Sequence, residues 1–277
     1  MTGKKEVAVL MPVYEAQDHF EATMASLAEV STPFTVFVVD DGSNPPLVLS
    51  SLTQRLDVRL LRLDRNQGIV AALNFGLATV LESGYQYIAR IDAGDFLAPN
   101  RLAIQSAYLD SHPLCGLVGS DTIVRSEDGR YLFTIEPPRN PKALARGLHE
   151  RMWLMHPGIM LRADVLRETG LYTDRYTAAE DYELILRVAA RYEVGVVPEP
   201  LLTYIVRDGG ISGRKRGVQL LSRLRIQLRY FRWTTWTSYY GVLRTAATLL
   251  IPPAMKSAMK LRFLYARRPA HGRIQAS

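Results

Sequence analysis

The sequence holds a single cysteine, Cys115, in 277 residues. That excludes an internal disulfide framework and fits a reducing compartment. No run of eighteen apolar residues occurs, so no conventional membrane span is expected. Met1 to Glu6 are polar and lead directly into an apolar stretch, without the basic, apolar and small-residue order of a signal peptide. Internal repeats and low-complexity linkers are also missing. The most informative absence is local: residues 214–277 hold 14 of the 34 Lys and Arg and none of the 27 Asp and Glu. The net charge of +7 therefore averages a body of −7 and a tail of +14. An asymmetry of this size separates an acidic body from a basic segment that seeks an anionic surface.

What is present is a core-forming chain, 48% hydrophobic, long enough for one α/β domain with an appendage. Val7–Met11 reads as a buried strand stopped by Pro12, followed by a helix near Asp18–Glu29. Phe34–Val39 reads as a second strand, then a helix near Leu47–Arg55 and a third strand at Val58–Leu63. A helix over Ile69–Glu82 leads to a fourth strand ending at Tyr87–Asp95. This alternation predicts a parallel sheet with right-handed crossovers. Arg101–Ser111 reads as a helix, followed by strands at Leu114–Gly119, Asp121–Arg125 and Tyr131–Ile135. Further on come a strand at Gly158–Leu161, helices over Arg162–Thr169 and Ala179–Arg191, and strands at Val194–Val197 and Leu201–Val206.

Three acidic groups stand at the ends of these elements: Asp40-Asp41 after the second strand, Asp92 and Asp95 after the fourth, and Glu180-Asp181 opening a helix. In open α/β sheets ligands bind beyond the carboxyl ends of the strands, so acids delivered there sit where chemistry happens. Each has a plainer reading as a turn or as a helix start favoured by the dipole. Asn66-Gln67-Gly68 precedes a helix, where Asn66 is either an N-cap or part of an anion-facing terminus with free N–H groups. Arg90, apolar on both sides, calls for an anion or a neighbouring acid.

The segments Val7–Tyr14, Val38–Ser43, Asn66–Leu77, Tyr87–Leu102, His156–Leu166 and Glu180–Leu186 resemble, in order, the blocks of family 2 glycosyltransferases with the GT-A fold. The resemblance implies a GT-A domain over residues 1–213, with a nucleotide-sugar half to about residue 100 and an acceptor half over 101–213. It implies inverting transfer of a sugar from a nucleoside diphosphate, UDP favoured, to a saccharide. Pro12, Tyr14, Glu15, Asp41, Asn66, Gly68, Arg90, Asp92 and Arg207 would then surround the donor, with Asp41 at the nucleobase edge and Tyr14 covering the base. Asp92 and Asp95 would hold a divalent cation, Mn²⁺ or Mg²⁺. Asp181 would be the general base, with Glu180, Trp153 and His156 on the acceptor side. Trp153 and His156 have structural readings of equal weight.

Two positions depart from the family pattern. Gly94 stands where a metal-binding acid is usual, and Arg207 stands where a His is usual. A guanidinium offers a metal no lone pair but can bind diphosphate oxygens in a bidentate way. The expectation is that Arg207 takes over part of the leaving-group stabilisation and that metal dependence weakens. The bolder alternative is a membrane-bound protein that binds nucleotide sugar without turnover.

In the tail, Val218, Leu221, Leu224, Leu228 and Phe231 recur at helical spacing among arginines. Trp233, Trp236, Tyr239 and Tyr240 follow, and a second basic segment carries Met255, Met259, Phe263 and Leu264. Residues 214–277 are therefore expected to form basic amphipathic helices on an anionic membrane. A plainer reading packs one helix on the body with the charges as its solvated face, and is expected to hold in part for Val218–Phe231. A nucleic-acid tail is the other alternative, but the apolar stripes favour lipid over solvated phosphates. The expected place is cytoplasmic, peripheral on the inner face of the membrane, beside a lipid-linked saccharide acceptor.

Overall fold

The computed structural model describes residues 7–51, 53–207 and 216–250. Strands β1 (Val7–Val13), β2 (Phe34–Asp40), β3 (Val58–Arg62) and β4 (Tyr87–Arg90) are parallel, in the spatial order β3-β2-β1-β4. The sheet continues through β8 (Met160–Arg162), β6 (Cys115–Ser126), β9 (Glu193–Val206) and β5 (Phe96–Leu97), with β7 (Tyr131–Ile135) paired to β6. β8 runs antiparallel to β4 and β6, whereas β6 and β9 form a long parallel pair.

Alternating side chains of the central strands feed two cores, one on each face of the sheet. Val7, Val9 and Met11 of β1 pack with Phe20, Met24 and Leu27 of α1 (Gln17–Ala28) and with Leu102 and Leu109 of α3 (Arg101–Ser111). Ala8 and Leu10 pack on the other face with Leu73 and Leu77 of α2 (Ile69–Glu82). The same core takes in α4 (Pro141–Leu148), α5 (Ala163–Thr169) and α6 (Glu180–Ala189). The result is a GT-A fold, a sheet covered by helices on both faces whose parallel strand ends share one edge.

Several boundaries differ from the sequence reading, for local reasons. β1 does not stop at Pro12, because Pro12 lies past the last β4 pair at Leu10 and its missing N–H interrupts no ladder bond. The helix expected near Leu47–Arg55 does not form over 47–51. The Gln17 amide accepts from Val48 N–H and donates to Val48 C=O, both at 2.9 Å, and Thr53–Arg55 is a 3₁₀ turn. The strands expected at 114–125 and at 194–206 are each continuous, and register shifts near Ser120 and Asp121 absorb the irregularities. α4 was not foreseen, although Asn140 caps it by accepting from the N–H groups of Lys142 and Ala143.

The basic tail begins as α7 (Arg216–Arg229) and α8 (Trp236–Leu250), and neither is long and apolar enough to cross a membrane. The second basic segment, from residue 251 onward, lies outside the described residues.

Arg101 joins the two halves of the sheet. It is fully buried and donates to the carbonyls of Arg90, Pro157 and Ile159 and to the side chain of Gln105. Replacing it would leave several buried carbonyls unpaired, each costing about 1–3 kcal/mol. Arg101→Leu is therefore expected to lower stability by roughly 3 kcal/mol or more, read as a fall in the urea midpoint at unchanged m-value. A loss below about 1 kcal/mol would contradict this role.

Candidate active site

The β1 and β2 ends are tied together around Asp41. Asp41 N–H donates to the Val13 carbonyl at 2.8 Å, and its carboxylate accepts from Gln67 N–H at 2.8 Å and Gly68 N–H at 2.9 Å. The N–H of Gly68 is thus taken by Asp41, and the N-cap of α2 is Gly68 itself, with no side-chain cap from Asn66. At the expected anion-facing terminus, the N–H groups of Gln67 and Gly68 orient Asp41, and the helix proper starts one residue later at Ile69. Each Asp41 oxygen keeps a further lone pair for a ligand. Gly42 makes the turn possible, with φ +71 and no room for a Cβ against the Arg65 backbone. Nearby, the Tyr14 ring is 44% exposed, and Glu15 donates its N–H to the Ser43 hydroxyl at 2.9 Å. Asp40 accepts from the N–H groups of Ser43 and Leu47 and pairs with Arg62, so it shapes the loop.

At the β4 end, Arg90 is buried and forms an ion pair with Asp92 at 2.6 Å. Thr23 of α1 pins the turn beyond, accepting from Gly94 N–H at 2.7 Å and donating to the Asp95 carbonyl at 2.9 Å. Asp95 is buried, with one carboxylate oxygen accepting from Ile205 N–H at 3.1 Å and the other without a hydrogen-bond partner. Burial, with Asp92 beside it, raises the Asp95 pKa, and Arg207 and Arg90 oppose that rise. Arg207 donates to the Gly94 carbonyl at 2.7 Å.

At the start of α6, Glu180 and Asp181 face the same charge group. Asp181 keeps part of its surface open to solvent, yet its carboxyl is densely surrounded. That desolvation, with the Glu180 charge beside it, pushes its pKa up to about 7. Burial likewise raises Glu180, while Arg90 pulls both acids down. His156 hydrogen-bonds the Tyr172 hydroxyl at 2.6 Å, and burial with the nearby Arg90 charge keeps its ring neutral. Asn74 fixes the Tyr172 backbone through two bonds, at 2.9 and 3.0 Å.

The fold thus gathers Arg90, Asp92, Asp95, Glu180, Asp181 and Arg207 at one edge, with Asp41 and Tyr14 at the ends of β1 and β2. His156 lies beneath that edge as a buried structural partner of Tyr172. Trp153 is stacked by Arg151 at 3.4 Å and packs against Gly147, which fits a filler of the core. Pro12 supports β1. Thr23, Arg101, Tyr172 and Tyr204 also shape the site and are not among the candidates read from the sequence. Thr23 lies in a helix and Tyr204 in a strand, both far along the chain from the turn they face.

The residues do not fit the expected divalent ion. Asp92 is held by Arg90, Asp95 is buried, and Gly94 supplies no donor. Among the described residues no group of three or more His, Cys, Asp or Glu is placed to hold one. Mg²⁺ and Mn²⁺ favour oxygen donors, and the Arg207 guanidinium beside Gly94 offers a metal no lone pair.

The chain belongs to glycosyl transferase family 2, whose profile matches residues 8–170. It is a glycosyltransferase. The amylovoran biosynthesis glycosyltransferase AmsE of Erwinia amylovora is 27% identical over 262 residues, covering 88% of this chain and 94% of AmsE. The UDP-Gal:alpha-D-GlcNAc-diphosphoundecaprenol beta-1,3-galactosyltransferase of Escherichia coli is 24% identical over 81% of this chain and 83% of its own. Among solved structures, the Pyrobaculum calidifontis mannosyltransferase PcManGT, in complex with GDP-Man and Mn²⁺, superposes with a TM-score of 0.61 at 18% identity. That superposition covers 97% of this chain and 77% of the mannosyltransferase, and it establishes likeness of fold.

A carboxyl whose folded pKa exceeds its unfolded value favours the folded state at low pH, and that contribution is lost as pH rises. For Asp181 the loss runs from the ordinary carboxylate range up through about 7. Asp181→Asn is therefore expected to raise the melting temperature at pH 8, with the gain vanishing toward pH 4. Scanning calorimetry across that range checks it, and an equal effect at all pH values would remove the desolvation argument.

Proposed function

We propose that the protein transfers a sugar, with inversion, from a nucleoside diphosphate to a saccharide hydroxyl, with UDP the favoured carrier and a lipid-linked acceptor. The observation that carries this is the Asp181 carboxylate, tuned to about 7 and facing the Arg90–Asp92 pair at the edge where the parallel strands end. In the proposed step the acceptor hydroxyl loses its proton to Asp181 as its oxygen attacks the anomeric carbon. The bond from that carbon to the diphosphate oxygen breaks, and its electron pair leaves with the nucleoside diphosphate. Asp41 takes a hydrogen bond from the nucleobase edge, and the Tyr14 ring covers the base. In this reading the catalytic body runs to about residue 213, its nucleotide half ending near residue 100.

The test is turnover on a panel of UDP-, GDP- and dTDP-sugars with a saccharide acceptor. Asp181→Asn is expected to lower kcat by roughly 10²–10⁴-fold while nucleotide affinity holds. In the wild type, kcat/KM should fall about tenfold per pH unit below about 7, as the base is protonated. A flat acid limb, or a fully active Asp181→Asn, would rule Asp181 out as the base. Binding with no release in the presence of acceptors would favour a silent nucleotide-sugar receptor.

The lipid side of the proposal, with a cytoplasmic inner-leaflet location, rests on the tail. α8 turns its small residues inward, with Ser238, Gly241 and Thr245 buried, and exposes Trp236, Leu243 and Leu250. Trp233, just before it, is 79% exposed. Large apolar side chains in solvent beside a surplus of arginine match an anionic lipid headgroup layer. Flotation with phosphatidylglycerol vesicles is expected to carry the wild type, and Trp236→Glu with Leu243→Glu is expected to abolish it. Equal recovery of the double variant would refute the membrane role.

A further inference from the structure

The turn at the β4 end holds two guanidinium groups in place of a metal site. Gly94 has φ +93, and a Cβ there would lie 2.6 Å from the Arg207 Cζ and nearer still to Nη2. The Arg207 guanidinium therefore fills the space that a side chain at position 94 would use. It is fastened there twice, through its own bond to the Gly94 carbonyl and through Ile205 N–H bonding Asp95 on the same turn. Its Nε is buried without a hydrogen-bond partner. On the other side of Asp92, Arg90 is 3% exposed, and its Nε is also buried and unpartnered. Arg207 and Gly94 both line a cavity of about 470 Å³, so one side of this pair borders open space.

A nucleoside diphosphate brings at least two negative charges. Arg90 already faces Asp92, whereas Arg207 donates to a neutral carbonyl at Gly94. Guanidinium groups bind phosphate oxygens through paired donors and need no hydration shell removed as Mg²⁺ does. Donors already positioned where leaving-group charge develops stabilise it without reorganisation. We infer that Arg207 takes the part of the divalent ion, gripping the donor's diphosphate so that binding needs no metal. This rests on the nucleotide-sugar reading above and goes beyond it, because that reading holds with or without an ion.

The experiment is calorimetric titration of the full-length protein with UDP, GDP and dTDP, each in EDTA and in Mn²⁺, with uridine as the phosphate-free control. For whichever nucleotide binds, the wild-type Kd should agree within about threefold between EDTA and Mn²⁺, against the tenfold step that 1.4 kcal/mol makes. Arg207→Ala should weaken the nucleoside diphosphate roughly 10- to 100-fold, as loss of a charged hydrogen-bond donor does. Nucleoside affinity should hold, and Arg207→Lys should recover part of the loss. A tenfold or larger tightening by Mn²⁺ in the wild type, which needs no variant to fold, would overturn the inference and leave the transferase reading standing. Unchanged diphosphate affinity in Arg207→Ala would do the same. Absence of nucleotide binding in both EDTA and Mn²⁺ would overturn the inference together with the nucleotide-sugar reading.

Discussion

The ion pair between Arg90 and Asp92 is the joint on which the site depends. Burying the Arg90 guanidinium is costly unless its charge is answered, and Asp92 at 2.6 Å is the anion that answers it. The same residue is fixed through its backbone. Its N–H bonds the Ile159 carbonyl and its own carbonyl accepts from Arg101. The parallel half of the sheet, the antiparallel β8 and helix α3 thus meet at one charged side chain. Three acids at the edge are tuned against it: Arg90 lowers Glu180, Asp181 and Asp95 while their burial raises them. A balance of opposing terms of this kind is how a carboxylate reaches neutral pKa while staying within reach of solvent.

The parts of this arrangement legible in the sequence are those with a period or a motif. α2 and α3 fall where helical spacing puts them, and β1 to β4 alternate with their connections as a parallel sheet requires. The acids at 92, 95, 180 and 181 declare themselves by standing at element ends. What stays hidden is reciprocity between distant residues. Nothing about Thr23, in the middle of an amphipathic helix, signals that its hydroxyl bonds Gly94 and Asp95 some seventy residues away. Gln17 likewise reads as a surface position, yet its amide holds Val48 as a neighbouring strand would and removes a helix that composition favours. Asp41 and Gly68 were both visible, but not that one consumes the donors of the other.

The tail shows the same difficulty in reverse, since its periodicity is plain and does not say which face meets the body. The apolar stripe of α7 would ordinarily be taken as the core side. Instead Ser222, Ile226 and Gln227 turn inward, while Val218, Leu221 and Leu228 remain exposed. Polar contacts do the docking. Gln227 donates to the His149 carbonyl at 3.1 Å, Arg223 to the Glu150 carbonyl at 2.8 Å, and the Tyr230 hydroxyl to Glu183 at 2.7 Å. Gly241 of α8 sits where any Cβ would collide with the His149 carbonyl, so the second helix approaches as closely as backbone allows.

A helix pair fixed by its small and polar residues leaves its large apolar ones free to serve something other than the body. In a chain with no need for a second hydrophobic environment this would be a poor use of Trp236, Leu243 and Leu250, because exposed apolar area of that size invites aggregation. The arrangement becomes economical once a lipid surface is part of the protein's working environment. The body's excess of acid would then be repelled by an anionic headgroup layer while the arginine-rich tail is drawn to it. On such a surface those opposed charges would orient the molecule by electrostatics alone. Docking through Glu183, which lies one turn beyond Glu180 on α6, links that orientation to the helix bearing Asp181. The acids at the start of α6 and the lipid-facing helices would then keep a fixed relation to each other.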